Sequence, residues 1–198
     1  MSDYRLDTAR HIGKTIFHLP QEYRPEFERY SQEDEQLHID ILRARDTPTL
    51  GETCYGSIGI SQFDNELEIE GQPLRVEILA VCASQWDIIG HGIAACGFQL
   101  ASGYRVLRPD IVCEGVLSGY NDCITTTGLL LTAPFSFEHT HVLSFPSFSI
   151  SWLQAIPITQ SECEFVLSHE HSAQELLSLF EAQQLKLNCL DRDSVHFD

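Results

Sequence analysis

The chain has 198 residues, of which 29 are acidic and 12 are basic, so its formal net charge is −17 at pH 7. Such a surface repels phosphate backbones and anionic lipids, which argues against direct binding to nucleic acid or to a membrane. The same charge favours fast encounter with a basic partner, although acidic residues also serve solubility alone. The length and the 43% hydrophobic content predict one globular domain that folds without a disulfide or a metal.

The N-terminus and the cysteines indicate the compartment. The first seven residues include Asp3 and Asp7 and precede no apolar run, which argues against a secretory signal. No stretch reaches the ~18 apolar residues of a membrane-spanning helix. The 7 cysteines are an odd number without a CxxC pair, which is typical of reduced thiols. We therefore expect a cytoplasmic protein.

In chain order, the first predicted element is a helix over residues 3–17, which ends before Pro20. A charged, exposed loop is expected from there to residue 35. Alternating apolar side chains then predict strands over residues 37–42 and 53–61.

The clearest hairpin follows these strands. Residues 66–70 alternate acidic and apolar side chains, Gly71-Gln72-Pro73 predicts the turn, and residues 74–81 return as a strand that becomes apolar on both faces. This pattern predicts an edge strand followed by a central strand.

The acidic side chains of the hairpin are the candidate partner-binding residues. On an extended edge strand, Glu66, Glu68 and Glu70 project from one face, and Asp64 precedes them. We predict that these four residues form an acidic strip that meets a basic partner. The alternative is that charges on an edge strand only prevent unwanted pairing between sheets.

The rest of the chain predicts a helix over residues 86–100, in spite of three glycines, and strands over 110–117, 128–132 and 148–158.

The C-terminal part predicts two helices. Thr159-Gln160-Ser161-Glu162 and Ser172-Ala173-Gln174-Glu175 both fit the capping box, in which a hydroxyl and a carboxylate satisfy free N–H groups at a helix start. His169-Glu170-His171 lies between the two boxes, so a bent or broken helical pair is expected.

Motifs for catalysis are absent from the sequence. It contains neither GxxxxGK[ST] nor GxGxxG, and residues 115–119 miss the GxSxG pattern by one residue. Cys54, Cys82 and Cys113 fall in strand-like runs and are expected to be buried, whereas a catalytic thiol needs an electropositive, partly exposed setting. A cysteine acting with His91 stays open as an alternative.

Two histidine pairs are candidate metal ligands. His139 and His141 would place both imidazoles on one face of a strand, whereas His169 and His171 diverge on a helix. Neither pair has a third ligand at a spacing typical of zinc sites. We therefore predict no metal and no other cofactor, and only adventitious metal binding at His139 and His141 stays open.

The C-terminal third carries a family resemblance. Residues 151–159 (SWLQAIPIT), followed by Glu164-Phe165 in a capped helix, resemble the closing motif of suppressor-of-fused-like domains. Residues 190–195 (LDRDSV) are similar to the end of that motif. Upstream, residues 55–61 (YGSIGIS) and 75–79 (RVEIL) resemble the "GhS" and "RVELL" strands of the same family. The resemblance covers about residues 35–195.

The resemblance implies an α+β fold in which a mixed, mostly antiparallel β-sheet is flanked by helices. It implies a single domain over residues 1–198, with a core at about 35–195 and an N-terminal helix and loop at 1–35. It carries over no catalytic residue. Animal members are scaffolds that sequester a transcription factor, and compact bacterial members are similar to immunity proteins that neutralise a toxin.

These implications lead to a functional prediction. We expect a non-enzymatic, protein-binding immunity protein or antitoxin whose partner is a basic toxin domain, for example a nuclease. The first alternative is a regulatory scaffold protein unrelated to toxins. A small metal-dependent hydrolase that uses His139 and His141 is the less favoured alternative, and the sequence leaves the oligomeric state open.

Overall fold

The protein is described from a computed structural model that covers residues 4–32, 37–120, 124–168 and 172–197. The strands in these ranges are β1 (Glu26–Ser31), β2 (His38–Arg45), β3 (Glu52–Ile58), β4 (Leu67–Ile69), β5 (Gln72–Ala83), β6 (Ile111–Cys113), β7 (Thr126–Thr132), β8 (Leu143–Ser144) and β9 (Ser149–Thr159). The helices are α1 (Tyr4–His11), α2 (Ile89–Ala101), α3 (Gln160–Ser168) and α4 (Ser172–Ala182), with a π-helical turn at Ile12–Ile16 and a 3₁₀ turn at Ile60–Gln62.

The strands form one sheet in the order β1-β2-β3-β5-β9-β7-β6, and the short strands β4 and β8 pair with the beginnings of β5 and β9. Among the described strands, only β5 and β9 run parallel, with Leu74 opposite Ser149 and Leu79 opposite Gln154. These two long strands lie at the centre, and both are mostly buried. The predicted α+β fold with a mixed, mostly antiparallel sheet flanked by helices is confirmed.

Helices cover both faces of the sheet because the central strands are apolar on both sides. On one face, Ile93 of α2 packs in a core with Ile78 of β5. On the other face, α1 and the π-helical turn form a second core that contains Ile12 and Trp152. Helices α3 and α4 form a third core on that face, over Ile156 of β9. Within the described ranges, no helix is long and apolar enough to cross a membrane.

The predicted loop that continues to residue 35 was wrong at Glu26–Ser31, which form the edge strand β1. This strand has no buried face that a hydropathy pattern would reveal. Its acidic side chains instead meet arginines of β2: Arg45 donates to Glu26 at 3.1 Å, and Arg43 donates to Glu28 at 3.2 Å. These ion pairs join β1 to a neighbouring strand, so local periodicity cannot show them.

Two glycines allow α2 to lie close to its neighbours. A Cβ atom on Gly97 would lie 2.5 Å from Ile39 Cδ1 and 2.8 Å from Ile60 Cγ1. A Cβ atom on Gly92 would lie 2.7 Å from Leu117 Cδ2. The helix predicted over residues 86–100 is confirmed, and this close packing accounts for glycines that each weaken a helix by ~1 kcal/mol.

We expect Gly97→Ala to lower the free energy of unfolding by ~1–3 kcal/mol, the usual cost of overpacking a core, although alanine is the better helix former. Urea denaturation measures this difference. Gly13→Ala is the control, because its Cβ would meet nothing closer than Leu19 Cδ1 at 3.6 Å. A Gly97→Ala variant more stable than the parent protein would contradict the close approach.

Candidate functional site

The four predicted partner-binding acids all have exposed side chains, but they do not share one extended backbone conformation. Glu68 lies in β4, whereas Glu66 and Glu70 flank this strand with left-handed φ angles of 51° each. Asp64 accepts hydrogen bonds from Arg75 Nη1 at 2.6 Å and from the Glu66 N–H at 3.1 Å. The four carboxylates therefore lie on one exposed hairpin, and one of them is partly neutralised.

The hairpin itself differs from its prediction in two details. The extended arm is limited to Leu67–Ile69, so the strand alternation does not reach Glu66 and Glu70. The turn is made by Glu70-Gly71, both with positive φ, and Gln72 and Pro73 already belong to β5. Left-handed φ at both turn residues is typical of a type I′ hairpin turn. Strand β4 pairs with β5 alone among the described strands, which agrees with the predicted edge position.

The predicted strand geometry of His139 and His141 is wrong, because both residues lie in the loop between β7 and β8. Their ring centroids are 6.4 Å apart. His139 instead meets His18 edge-on, with 5.3 Å between the ring centroids. The other predicted pair, His169 and His171, lies outside the described residues.

A further histidine lies on the same side of the sheet. The His11 ring stacks on Trp152, with centroids 5.3 Å apart and planes 8° from parallel. Trp152 Nε1 in turn donates to the carbonyl oxygen of His141 at 2.9 Å. Burial, and to a lesser extent the nearby imidazole of His141, lowers the pKa of His11 below its usual value of 6.5. His11 is thus a neutral packing residue at neutral pH.

Three buried cysteines have thiols that are less acidic than a free cysteine. Burial raises the pKa values of Cys54 and Cys82 to about 12 and that of Cys163 to about 11. The predicted burial of Cys54, Cys82 and Cys113 is confirmed. His91 lies in the first turn of α2, and its ring contacts those of Tyr30 and Tyr120.

Next to His91, a cleft of about 340 Å³ lies between β2 and the beginning of α2. Its lining includes the cation Arg43, whose side chain is almost fully buried and lies 5.9 Å from the Tyr55 ring. Asp87 and Glu28 both accept hydrogen bonds from this guanidinium. Because the cation is already paired with two carboxylates, the cleft offers little attraction for an anionic ligand.

The sequence patterns did not predict a second concave surface. It joins a groove of about 540 Å³ beside α4 to one of about 300 Å³ over β5 and β9. The two share Phe135, Leu185 and Leu187, and Phe135 is 57% exposed. We call the surface lined by these three residues the apolar groove. They belong to loops from distant parts of the chain, so no sequence periodicity marks them.

The family motifs form buried polar networks, not an open site. Glu77, in the RVEIL segment, is fully buried and accepts hydrogen bonds from the Ser57 hydroxyl, the Gly59 N–H at 2.7 Å and both donors of Ser61 at 2.7 and 3.1 Å. Ser57 and Gly59 belong to the YGSIGIS segment. The two upstream motifs are therefore one structural unit, in which a carboxylate holds the turn after β3.

The C-terminal motifs form a second network. Thr159 and Glu162 make the predicted capping box, with the Thr159 N–H 2.9 Å from Glu162 Oε2. Both oxygens of Glu162, which is fully buried, also accept from Arg192 at 2.7 Å. Arg192 further donates to the Pro157 carbonyl at 2.9 Å, and its guanidinium lies over the Phe180 ring. The helix cap and the LDRDSV segment are thus joined by a bidentate, buried ion pair.

Comparison with known proteins agrees with this arrangement. The sequence matches the model of the family described as "Suppressor of fused protein (SUFU)" over residues 35–193. It is 28% identical over 173 residues to the protein named "Immunity protein YqcF" of Bacillus subtilis (strain 168), which covers 87% of this chain and 89% of that protein.

Solved structures share the fold at 13% sequence identity. The putative SUFU homologue from Neisseria gonorrhoeae FA 1090 matches 98% of this chain and 96% of its own, with a TM-score of 0.65. A chain of the Sufu-Fu complex matches 96% of this chain and 89% of its own, with a TM-score of 0.62. Drosophila Suppressor of Fused matches 80% of this chain but 42% of its own, with a TM-score of 0.56.

Proposed function

The chain belongs to the suppressor of fused protein family, and we propose that it is a non-enzymatic immunity protein that binds and neutralises a toxin. The similarity to the immunity protein of Bacillus subtilis along most of both chains is the observation that carries this proposal. The Sufu-Fu complex supports a protein partner, since a protein with the same fold is named there in a complex. The family membership confirms the resemblance that the sequence motifs indicated.

The surface supports a binding role. The apolar groove leaves Phe135 exposed on an otherwise strongly acidic protein, and exposed apolar surface next to polar residues is typical of protein interaction sites. The motif residues Glu77 and Glu162 are buried in hydrogen-bond networks, so they are not offered to a substrate. The raised thiol pKa values support the absence of cysteine catalysis.

We further propose that the partner is a basic toxin domain and that the encounter occurs in the cytoplasm of a bacterium. A net charge of −17 accelerates association with a basic protein. Toxins that cleave nucleic acid need a basic surface for phosphate, and an acidic inhibitor can occupy that surface. Asp64, Glu66, Glu68 and Glu70 remain our proposed contacts, with Glu66, Glu68 and Glu70 the stronger candidates because Asp64 is already paired with Arg75.

The test uses a basic toxin domain in a catalytically inactive form, and the gene immediately upstream of this one is the first place to look for it. Calorimetry at low salt is expected to show a 1:1 complex with the purified protein, and the absence of heat of binding would contradict the proposal. The triple variant Glu66→Lys, Glu68→Lys, Glu70→Lys is expected to slow association ~10-fold or more in stopped-flow measurements, because it reverses the steering charge.

The matched control reverses three exposed acids elsewhere, with Glu22→Lys, Glu164→Lys and Glu175→Lys, so the net charge of both variants is the same. Equal slowing in the two variants would show that overall charge, not the hairpin, governs association. Binding that is retained in both variants at unchanged rates would contradict the basic-partner proposal.

A further inference from the structure

Three exposed side chains form a cluster of metal-ligating groups next to the loop between β7 and β8. Ligand atoms of His18, Glu138 and His139 all lie within 4.8 Å of one another. The rings of His18 and His139 meet at 88°, and Glu138 Oε2 lies 3.8 Å from His139 Nε2. His18 comes from the segment after α1, more than a hundred positions away in the sequence, so this cluster is a product of the fold.

The backbone on both sides of the cluster is anchored. Next to the cluster, the rings of Phe17 and Phe137 stack with centroids 5.6 Å apart, which fixes the segment of His18 against the segment of Glu138. The loop is held to β9 on both sides: the Phe135 N–H donates to Gln154 Oε1 at 3.0 Å, and Trp152 donates to the His141 carbonyl. The backbone that carries the donor groups is therefore held in place, as a binding site requires.

Two imidazoles and one carboxylate are a donor set that suits Zn²⁺. A tetrahedral zinc ion with bonds of ~2.0–2.1 Å holds its ligand atoms about 3.3 Å apart, so the three exposed side chains need to close by at most about 1.5 Å. Their exposure leaves them free to make this adjustment and leaves a fourth position for water. The net charge of −17 favours a cation near this surface.

We propose that His18, Glu138 and His139 bind a divalent zinc ion, which clips the loop between β7 and β8 to the segment after α1. This proposal replaces the sequence-based expectation of no metal. In the proposed site, His18 and Glu138 take the place of His141 as the ligands that accompany His139. It does not depend on the proposed toxin-neutralising function. The ion bridges two segments that both cover the same face of the sheet, so its binding stabilises their mutual packing.

The test is calorimetric titration of the chelator-treated full-length protein with ZnCl₂. The expected result is one zinc ion per chain, accompanied by a higher midpoint of thermal unfolding and slower amide hydrogen exchange over residues 135–141. The double variant His18→Asn, His139→Asn is expected to lose at least ~100-fold in affinity, because even changes beyond the ligands cost ~10–100-fold.

Asparagine is chosen because both positions have left-handed backbones, with φ angles of 52° and 56°, which asparagine tolerates well. His196→Asn, at an exposed position on the C-terminal segment, is the control and is expected to bind zinc as the parent protein does. Zinc binding of unchanged affinity in the double variant, or no saturable binding by the parent protein, would overturn the proposal.

Discussion

Replacing Arg192 by methionine is expected to lower the free energy of unfolding by ~3–5 kcal/mol, the usual cost of breaking a buried ion pair from one side. The guanidinium supplies two of the hydrogen bonds to the carboxylate of Glu162, which has no exposed surface. Without it, a charged group remains in the protein interior with only the Thr159 and Val195 N–H groups and one hydroxyl as donors. Equilibrium unfolding in urea, followed by circular dichroism, gives the difference.

Two further variants separate this ion pair from a general effect of losing an arginine. Arg10→Met removes an exposed partner of Asp7, 3.4 Å away, and is expected to change stability by less than ~1 kcal/mol. Combining Glu162→Gln with Arg192→Met removes the uncompensated charge and is expected to recover part of the loss. If Arg192→Met cost no more than Arg10→Met, the ion pair would not be the link between the C-terminal motifs.

Replacing Glu77 by leucine, a residue of similar volume, is expected to cost at least ~3 kcal/mol, because each buried donor left without an acceptor costs ~1–3 kcal/mol. The donors that lose their partner include the N–H groups of Gly59 and Ser61 and the hydroxyl of Ser57. The same urea measurement applies. Hydrogen exchange of the Gly59 and Ser61 amides is expected to increase together with the loss of stability.

The controls for Glu77 change one property at a time. Glu77→Gln keeps one acceptor oxygen and is expected to cost less than Glu77→Leu. Glu68→Leu makes the same chemical change at an exposed position of β4 and is expected to alter stability by less than ~0.5 kcal/mol. Equal stability of Glu77→Leu and Glu68→Leu would contradict a structural role for this carboxylate.

These two networks explain what the family motifs do. The RVEIL and YGSIGIS segments meet through Glu77 and Ser57, and the segments around Thr159 and Arg192 meet through Glu162. Their role is to close turns and helix starts inside the fold. A family assignment made on these motifs therefore predicts the architecture well but does not locate the partner, which must contact exposed residues.

Local chemistry made some elements predictable from the sequence. The capping box at Thr159 and Glu162 predicted the start of α3, because its hydrogen bonds involve residues only three positions apart. The hairpin of β4 and β5 was predictable because its turn also involves neighbouring residues only, although the turn lies at Glu70-Gly71 and not at Gly71-Gln72-Pro73. Hydropathy also indicated α2, whose glycines are explained only by the side chains packed against them.

Features that depend on distant residues were not predictable. Strand β1 shows no apolar alternation in its sequence, and its ion-pair partners lie on β2. Phe135 and Leu187 meet in the apolar groove although about fifty residues separate them. His18 approaches His139 only because α1 and the loop between β7 and β8 cover the same face of the sheet. These features depend on which strands are neighbours in the sheet, and patterns in a single sequence do not predict the order of strands.

Neutralisation of a toxin is tested most directly by bacterial growth. The active form of the toxin domain sought in the upstream gene is expressed from an inducible promoter, with this protein supplied from a second plasmid. We predict that the protein restores growth to the level of cells without toxin, and that Arg192→Met, at a temperature where it is unfolded, does not. Unchanged growth arrest in cells that contain the folded protein in excess over the toxin would contradict the proposed function.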